Sequence, residues 1–547
     1  MLGTRGDVVS YLFVTIVGLV VGLFPAAVHL EAQEIDLVEL TTDDVQAGYA
    51  AGNFTAVELT QAFLDRIERY EPYYNAFISM NPDALITAAE LDVEYASDGP
   101  RGPLHGVPVV IKDNIDYGGL VTTAGWEGFS QETGGVDMIP DDDASVVTRL
   151  REAGAIILGK TNLPDFAAHG TRTNSTVAGR TLNPYNVSKV PGGSSGGTAT
   201  AVNASFAVLG LGTETGGSIQ NPASAQALVG VKPTYGLVPI EGVVPINSTY
   251  VDVVGPLARS VLDAALTLDV LAGPTQEDLA TFASVGQIPE EGYSAGLTER
   301  RLDGKRFGLV GVGWRDDWLP LDPRSEVVYR EAVLSLRSLG AQVIEDPFLG
   351  TGFKDLYEAR PRVPNQGAHD MHVYLAGLGA GAAFNSVREW EALTGRPYRQ
   401  GRASSDDSSS ESVVVVPVRP SATEAGDAYQ AWRHRIRALF RSVLEEHDLD
   451  ALFFPQSGAP NRDRIEDPER PDYEPNNWPE IPSNIVNALG VPVVTVPFTY
   501  FEDGTPFVTA FIGDLWTEAD LLVYAFAFEL ANGARRAPAL VDGAADR

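Results

Sequence analysis

The chain has 547 residues, with 73 acidic against 39 basic side chains, a net charge of −34 and 44% hydrophobic residues, so it is long enough to bury a large core. That charge opposes binding to nucleic acid or to anionic membranes. With no cysteine, the chain excludes a disulfide scaffold, thiolate zinc sites, a cysteine nucleophile and a lipidated cysteine anchor.

The chain opens on a targeting pattern. Arg5 precedes an apolar run over 11–27, and the small residues Ala26, Ala27 and Ala32 follow. This reads as a secretory signal peptide over 1–32, cleaved near Ala27 or Ala32, with an uncleaved membrane anchor as the alternative. The remainder, 33–547, has no second run of that kind and is expected to act outside the cytoplasm, as a secreted or periplasmic protein. Two short helices come next. The second opens on the capping box Thr55-Ala56-Val57-Glu58, carries Leu59, Ala62, Phe63 and Ile67 on one face, and is expected to close at Pro72.

Beyond it, short apolar strand candidates alternate with amphipathic helices. Residues 107–111, 156–158, 206–211, 307–310, 452–454 and 491–496 read as buried strands. Helices over 145–153, 260–272, 325–339 and 517–532 each run into a glycine: Gly154, Gly273, Gly340 and Gly533. This alternation implies an α/β protein with a large mixed or parallel central sheet covered by helices on both faces. The serine-rich stretch 401–412 and the proline-rich stretch 460–482 read as loops.

Several signatures occur in form only. Gly154-Ala155-Ile156-Ile157-Leu158-Gly159-Lys160-Thr161 fits a phosphate-loop expression, but its apolar middle makes a strand instead of a polar cradle. Gly192-Gly193-Ser194-Ser195-Gly196 fits a nucleophile elbow, yet the turn-forming Asn183-Pro184-Tyr185-Asn186 stands where a strand is required. A serine–histidine–acid site would draw on His369, His372, His434 or His447. His369-Asp370-Met371-His372 lacks a third ligand for zinc.

The chemistry concentrates in two glycine-flanked serines. Pro191-Gly192-Gly193-Ser194-Ser195-Gly196-Gly197 supplies one, and Gly212-Thr213-Glu214-Thr215-Gly216-Gly217-Ser218 the other. Such glycines mark backbone that bends tightly or is closely approached. The run Leu104-His105-Gly106-Val107-Pro108-Val109-Val110-Ile111-Lys112 delivers an amine at the end of a buried strand. Burial disfavours the ammonium form, and bringing a lysine from about 10.4 to near 7 takes roughly 4–5 kcal/mol. Lys112 is therefore either a neutral base or a structural lysine paired with Asp113 or Asp116. The chain has only six lysines, and Lys112, Lys160, Lys189 and Lys232 all fall around these serines.

These blocks, with Gly159-Lys160-Thr161-Asn162-Leu163-Pro164-Asp165-Phe166-Ala167 and Gly230-Val231-Lys232-Pro233-Thr234-Tyr235-Gly236, resemble the amidase signature hydrolases. The resemblance is close over about 40–273, returns more loosely over 450–455 and 484–530, and implies that family's fold over 33–547. It places the signature core at about 90–273, with variable segments at about 274–300 and 346–425 shaping the substrate entrance. It further implies Ser218 as acyl-accepting nucleophile, Ser194 as bridging serine and Lys112 as terminal base. The backbone N–H groups of Thr215, Gly216, Gly217 and Ser218 become the oxyanion hole, with a cis peptide before Ser194. His169 and Thr171 lie in a loop that approaches the site in the family, and with Gln220 they are candidate substrate-binding residues.

Two positions depart from the family pattern. Glu214 stands where aspartate is common, and Gln220 replaces an arginine common two places after the nucleophile. Loss of that cation favours a neutral carboxamide (aryl, peptide-terminal or fatty) over a substrate bearing a carboxylate, and no cofactor or metal is implied. Alternatives are an amidotransferase A-type subunit, which the leader argues against, and a non-catalytic binding protein on the same scaffold. The aromatics Phe129, Tyr250, Trp314, Phe353 and Trp390 are read as core residues first and pocket residues second.

Overall fold

The computed structural model describes residues 35–315, 319–364, 366–398, 419–465 and 478–541. The leader over 1–32 and the serine-rich stretch 401–412 lie outside these residues, as does the middle of the 460–482 stretch. The described residues from Leu37 onward cluster as one compact unit.

Thirteen strands are assigned among the described residues: β1 (Phe77–Met80), β2 (Pro108–Lys112), β3 (Ile156–Thr161), β4 (Asn174–Ser175), β5 (Gly179–Arg180), β6 (Leu209–Glu214), β7 (Val229–Lys232), β8 (Val253–Ala258), β9 (Arg306–Leu309), β10 (Gln342–Glu345), β11 (Ala451–Pro455), β12 (Val493–Tyr500) and β13 (Pro506–Ile512). β4 and β5 form a small hairpin. The other eleven make one sheet in the order β1-β3-β2-β6-β8-β7-β12-β13-β11-β9-β10. β2 runs parallel to β3 and β6, β9 runs parallel to β10 and β11, and the strands between β6 and β11 pair antiparallel. Every residue of β2, β3, β6, β7, β8 and β11 is buried. A central strand buried along its whole length needs cover on both faces of the sheet.

The six strand candidates all become strands, with ends shifted by up to four residues. Residues 206–208 form a bend instead, after a turn with Ser205 at φ 55°. The apolar run after Gly154 is a wholly buried strand, as the failed phosphate-loop pattern requires. The strands β1, β7, β8, β10 and β13 were not among the candidates read from the sequence. β8 contains Gly255-Pro256, which reads locally as a chain breaker but sits between β6 and β7.

Helix ends follow their local signals. Thr55 and Glu58 make the capping box, and Ser260 caps Val261–Leu271 by accepting from the Asp263 N–H. Gly533, in left-handed conformation, ends Glu518–Asn532. Pro72 does not end its helix. Ala56–Tyr74 continues past it to Asn75, whose φ of 54° turns the chain away. A proline this near a C-terminus removes only one backbone hydrogen bond, so the helix tolerates it. Tyr250, Trp314 and Phe353 pack in one core cluster, Phe129 and Trp390 in another, so all five aromatics are core residues.

Candidate active site

Strand alternation sorts the charges at the end of β2. Ile111 pairs with Lys160, and Lys112 with Thr161, so Lys112 points to one face of the sheet while Lys160 points to the other. Asp113, next after Lys112, follows Lys160. Their ion pair is 3.1 Å long and wholly buried. Lys160 also donates to Thr122 Oγ1 at 2.6 Å and to the Val121 carbonyl at 3.0 Å. Asp116 accepts from Thr122 Oγ1 at 2.8 Å and from the Tyr374 hydroxyl at 2.9 Å. Neither acid is bonded to Lys112, which removes the ion-paired alternative for that lysine.

Lys112 is 0% exposed. Its Nζ lies 2.7 Å from Ser194 Oγ, 2.8 Å from Thr213 Oγ1 and 3.3 Å from the Thr213 carbonyl. Burial holds the amine well below its ordinary pKa, and the more distant negative charges of Glu214 and Asp252 only partly oppose that shift. Thr213 arrives on β6, which pairs with β2, and Asn114 Nδ2 donates to its Oγ1 at 3.1 Å. Lys232, also fully buried, instead donates to the carbonyls of Pro233 and Val491, both at 2.8 Å. It serves the backbone and touches neither serine.

The Ser194 segment leads into the helix Gly196–Asn203, so the elbow pattern has its following helix but no preceding strand. The peptide between Gly193 and Ser194 is cis, as the resemblance implies. Gly193 donates to the Gly170 carbonyl at 3.0 Å. A β-carbon on Gly193 would stand 2.5 Å from the carbonyl oxygens of His169 and Arg172, so only glycine fits. The Ser195 N–H donates to the Ser218 carbonyl at 3.2 Å, which seats the two serine segments against each other.

Ser218 ends a loop between β6 and the helix Gln220–Ala225 and is 6% exposed. Gly217 has φ 88°. The N–H groups of Gly216, Gly217 and Ser218 donate to no acceptor among the described residues. Glu214 is buried and accepts from the N–H groups of Ile219 at 2.8 Å and Gln220 at 3.2 Å. It also accepts from Gln220 Nε2 at 2.5 Å and Asn487 Nδ2 at 3.0 Å. Gln220 is therefore fully buried against Glu214. His169 is 4% exposed, and its Nδ1 accepts from the N–H groups of Thr171 and Arg172 at 3.1 and 3.3 Å. His169 and Thr171, both buried, thus shape the loop that closes over Gly193.

Glu480, Asn484, Thr213 and Asp252 stand in or beside this pocket without having been singled out from sequence. The carboxylate of Glu480 accepts from Asn221 Nδ2 at 2.8 Å, and a β-carbon on Gly216 would meet Asn484 Oδ1. Thr213 had the one available signal, its place beside Glu214 in a glycine-rich block. A separate cavity of about 500 Å³, rich in carboxylates, is lined by Asp116, Glu241, Asp278 and Asp370 among others, and by none of Lys112, Ser194 and Ser218. Among the described residues no group of three or more histidine, aspartate and glutamate side chains is placed to hold a metal ion, the 369–372 segment included.

This fold and pocket define the class: an amidase-type enzyme with a mixed eleven-stranded sheet. A solved structure of native peptide amidase from Stenotrophomonas maltophilia is 33% identical, with a TM-score of 0.73 over 92% of this chain and 99% of that one. An amidase family protein from Bacillus anthracis str. Ames is 26% identical, with a TM-score of 0.76 over 94% and 96% of the two chains. Among curated proteins, the glutamyl-tRNA(Gln) amidotransferase A-type subunit of Alkaliphilus metalliredigens is 32% identical over 90% of this chain and 97% of its own. The Amidase family model matches residues 58–522, and the chain belongs to that family.

Proposed function

We propose that this protein hydrolyses neutral linear carboxamides through a serine acyl-enzyme, releasing a carboxylic acid and ammonia or an amine. One observation carries this reading: a fully buried Lys112 amine, bonded to no carboxylate among the described residues, 2.7 Å from Ser194 Oγ. A neutral amine has two N–H donors and one lone pair. With the donors on Thr213 Oγ1 and the Thr213 carbonyl, the lone pair faces the Ser194 hydroxyl. Ser194 then gives its proton to Lys112 while taking one from Ser218, which attacks the amide carbon. The N–H groups of Thr215, Gly216, Gly217 and Ser218 stabilise the developing oxyanion. Run in reverse, the relay protonates the departing nitrogen, and water repeats the cycle on the ester.

A neutral acyl group is supported by Gln220, which stands where many relatives carry arginine and whose amide is engaged by Glu214. Fluorophosphonate labelling followed by mapping of the modified residue tests the mechanism, with a panel of aryl, peptide-terminal and fatty amides to find the substrate. Modification at Ser218, lost in Ser218→Ala, is expected. Modification elsewhere refutes Ser218 as the nucleophile, and no wild-type turnover on the panel refutes the reading and favours a binding protein.

The likeness to amidotransferase A-type subunits favours a second reading, in which the chain acts as one subunit of an amidotransferase. The leader argues against it and for export. Sequencing the mature N-terminus decides: a cut near Ala27 or Ala32 excludes the cytosolic complex, whereas an intact leader with activity gained only from added partner proteins establishes it.

A further inference from the structure

We infer that Asp252 is a positioning residue for the oxyanion loop, tying Thr215 to the neighbouring 246–247 turn through one buried carboxylate. The loop from Thr215 to Ser218 is fastened at both ends, and between them the Gly217 carbonyl accepts from the Asn221 N–H at 2.7 Å. At its far end the Ser218 carbonyl accepts from Ser195, and Glu214 accepts from the next two N–H groups. At its near end the fastening is Asp252. Its Oδ1 accepts from Thr215 Oγ1 at 2.5 Å, while Oδ2 accepts from the N–H groups of Ile246 and Asn247 at 2.9 and 2.7 Å.

The carboxylate is only 7% exposed, and three donors satisfy it. Its backbone is held just as firmly. Asp252 stands immediately before β8, whose first residue, Val253, pairs with Glu214 at the end of β6. The carbonyl of Asn247 accepts from the N–H groups of Tyr250, Val251 and Asp252, closing the turn on itself. The clamp is thus built on the central sheet and grips the loop one residue before its glycines. Gly216 and Gly217 have no side chains to pin them, so with Asn221 holding the Gly217 carbonyl from the far side, the hydroxyl of Thr215 sets from the near side where the following N–H groups point. Oriented donors cost no reorganisation when charge develops, and each is worth about 10²–10³ in turnover.

This inference rests on the acyl-enzyme reading above. Its test is steady-state kinetics on whichever amide the wild type turns over, using the full-length variants Thr215→Val, Thr215→Ser, Asp252→Asn and Thr215→Val with Asp252→Asn. Thr215→Val and Asp252→Asn are each expected to lower kcat by about 10-fold or more with KM within about 2-fold, since the lost interaction acts in the transition state. Thr215→Ser, which restores the hydroxyl, recovers most of the kcat lost in Thr215→Val. The double variant is no slower than the slower single one, because both break the same contact. A Thr215→Val enzyme within about 2-fold of wild-type kcat overturns the inference, as does a loss confined to KM or an equal loss in Thr215→Ser. Absence of wild-type turnover would instead sink the acyl-enzyme reading.

Discussion

Lys112 and Lys160 show how much one residue's place on a strand decides. Both are wholly buried, yet one pairs with Asp113 and the other meets hydroxyls and a carbonyl. An amine held neutral in the fold is a cost to stability at neutral pH, because the unfolded chain binds a proton that the native state does not. Lys112→Met is therefore expected to abolish amide turnover, by about 10³-fold or more, without lowering the melting temperature. Thr213 keeps its partners, Asn114 on its hydroxyl and Ser195 Oγ on its carbonyl. A large drop in melting temperature would mark Lys112 as a charged structural lysine instead. The sequence placed this amine at the end of a buried strand but left its partner open among Asp113, Asp116 and the serines. That choice depends on which face of the sheet each side chain takes.

At the scale of elements, the helix Gly196–Asn203 carries the Ser194 segment against β3 with no room to spare. A β-carbon on Gly197 would stand 2.3 Å from the Asn162 carbonyl oxygen and 2.5 Å from its nitrogen, both backbone atoms that cannot yield separately. Gly197→Ala is expected to destabilise the protein by about 1–3 kcal/mol, whereas Gly102→Ala, with nothing within 4 Å, is expected to change stability by less than about 0.5 kcal/mol. Denaturant unfolding of both variants measures the difference, and equal midpoints would refute the close approach. The glycines were legible as a cluster, but the sequence could not say which of them backbone crowds. Strand β8 escaped detection because Gly255-Pro256 imitates a loop.

For the whole molecule, buried acids set the response to pH. Burial raises Asp116 to about 7 and Asp252 to about 6, and it raises Asp263 and Glu518 in the same direction. In the unfolded chain these groups titrate near pH 4, so between about pH 4 and 7 the folded state binds more protons. Stability in that window therefore grows as pH falls. Protonation also relieves the self-repulsion of a chain carrying −34. The melting temperature is expected to be higher at pH 5.5 than at pH 7.5, by about 2 °C or more. A flat or opposite trend by calorimetry would mean that these carboxylates are solvated and ionised.

The α/β alternation and the glycine, serine and lysine motifs were legible in the chain as written, because short motifs answer to local backbone needs and can be read where they stand; the resemblance they carry named the family and the three residues of the proposed relay. It took the folded arrangement to show that Asp113 belongs to Lys160, that Gln220 is held by Glu214, and that Asp252 grips the loop before Ser218. Those pairings join segments or strand faces whose relation is set by strand order and register. Neither quantity is written in any window of the chain, since both arise from which strands lie side by side in the finished sheet.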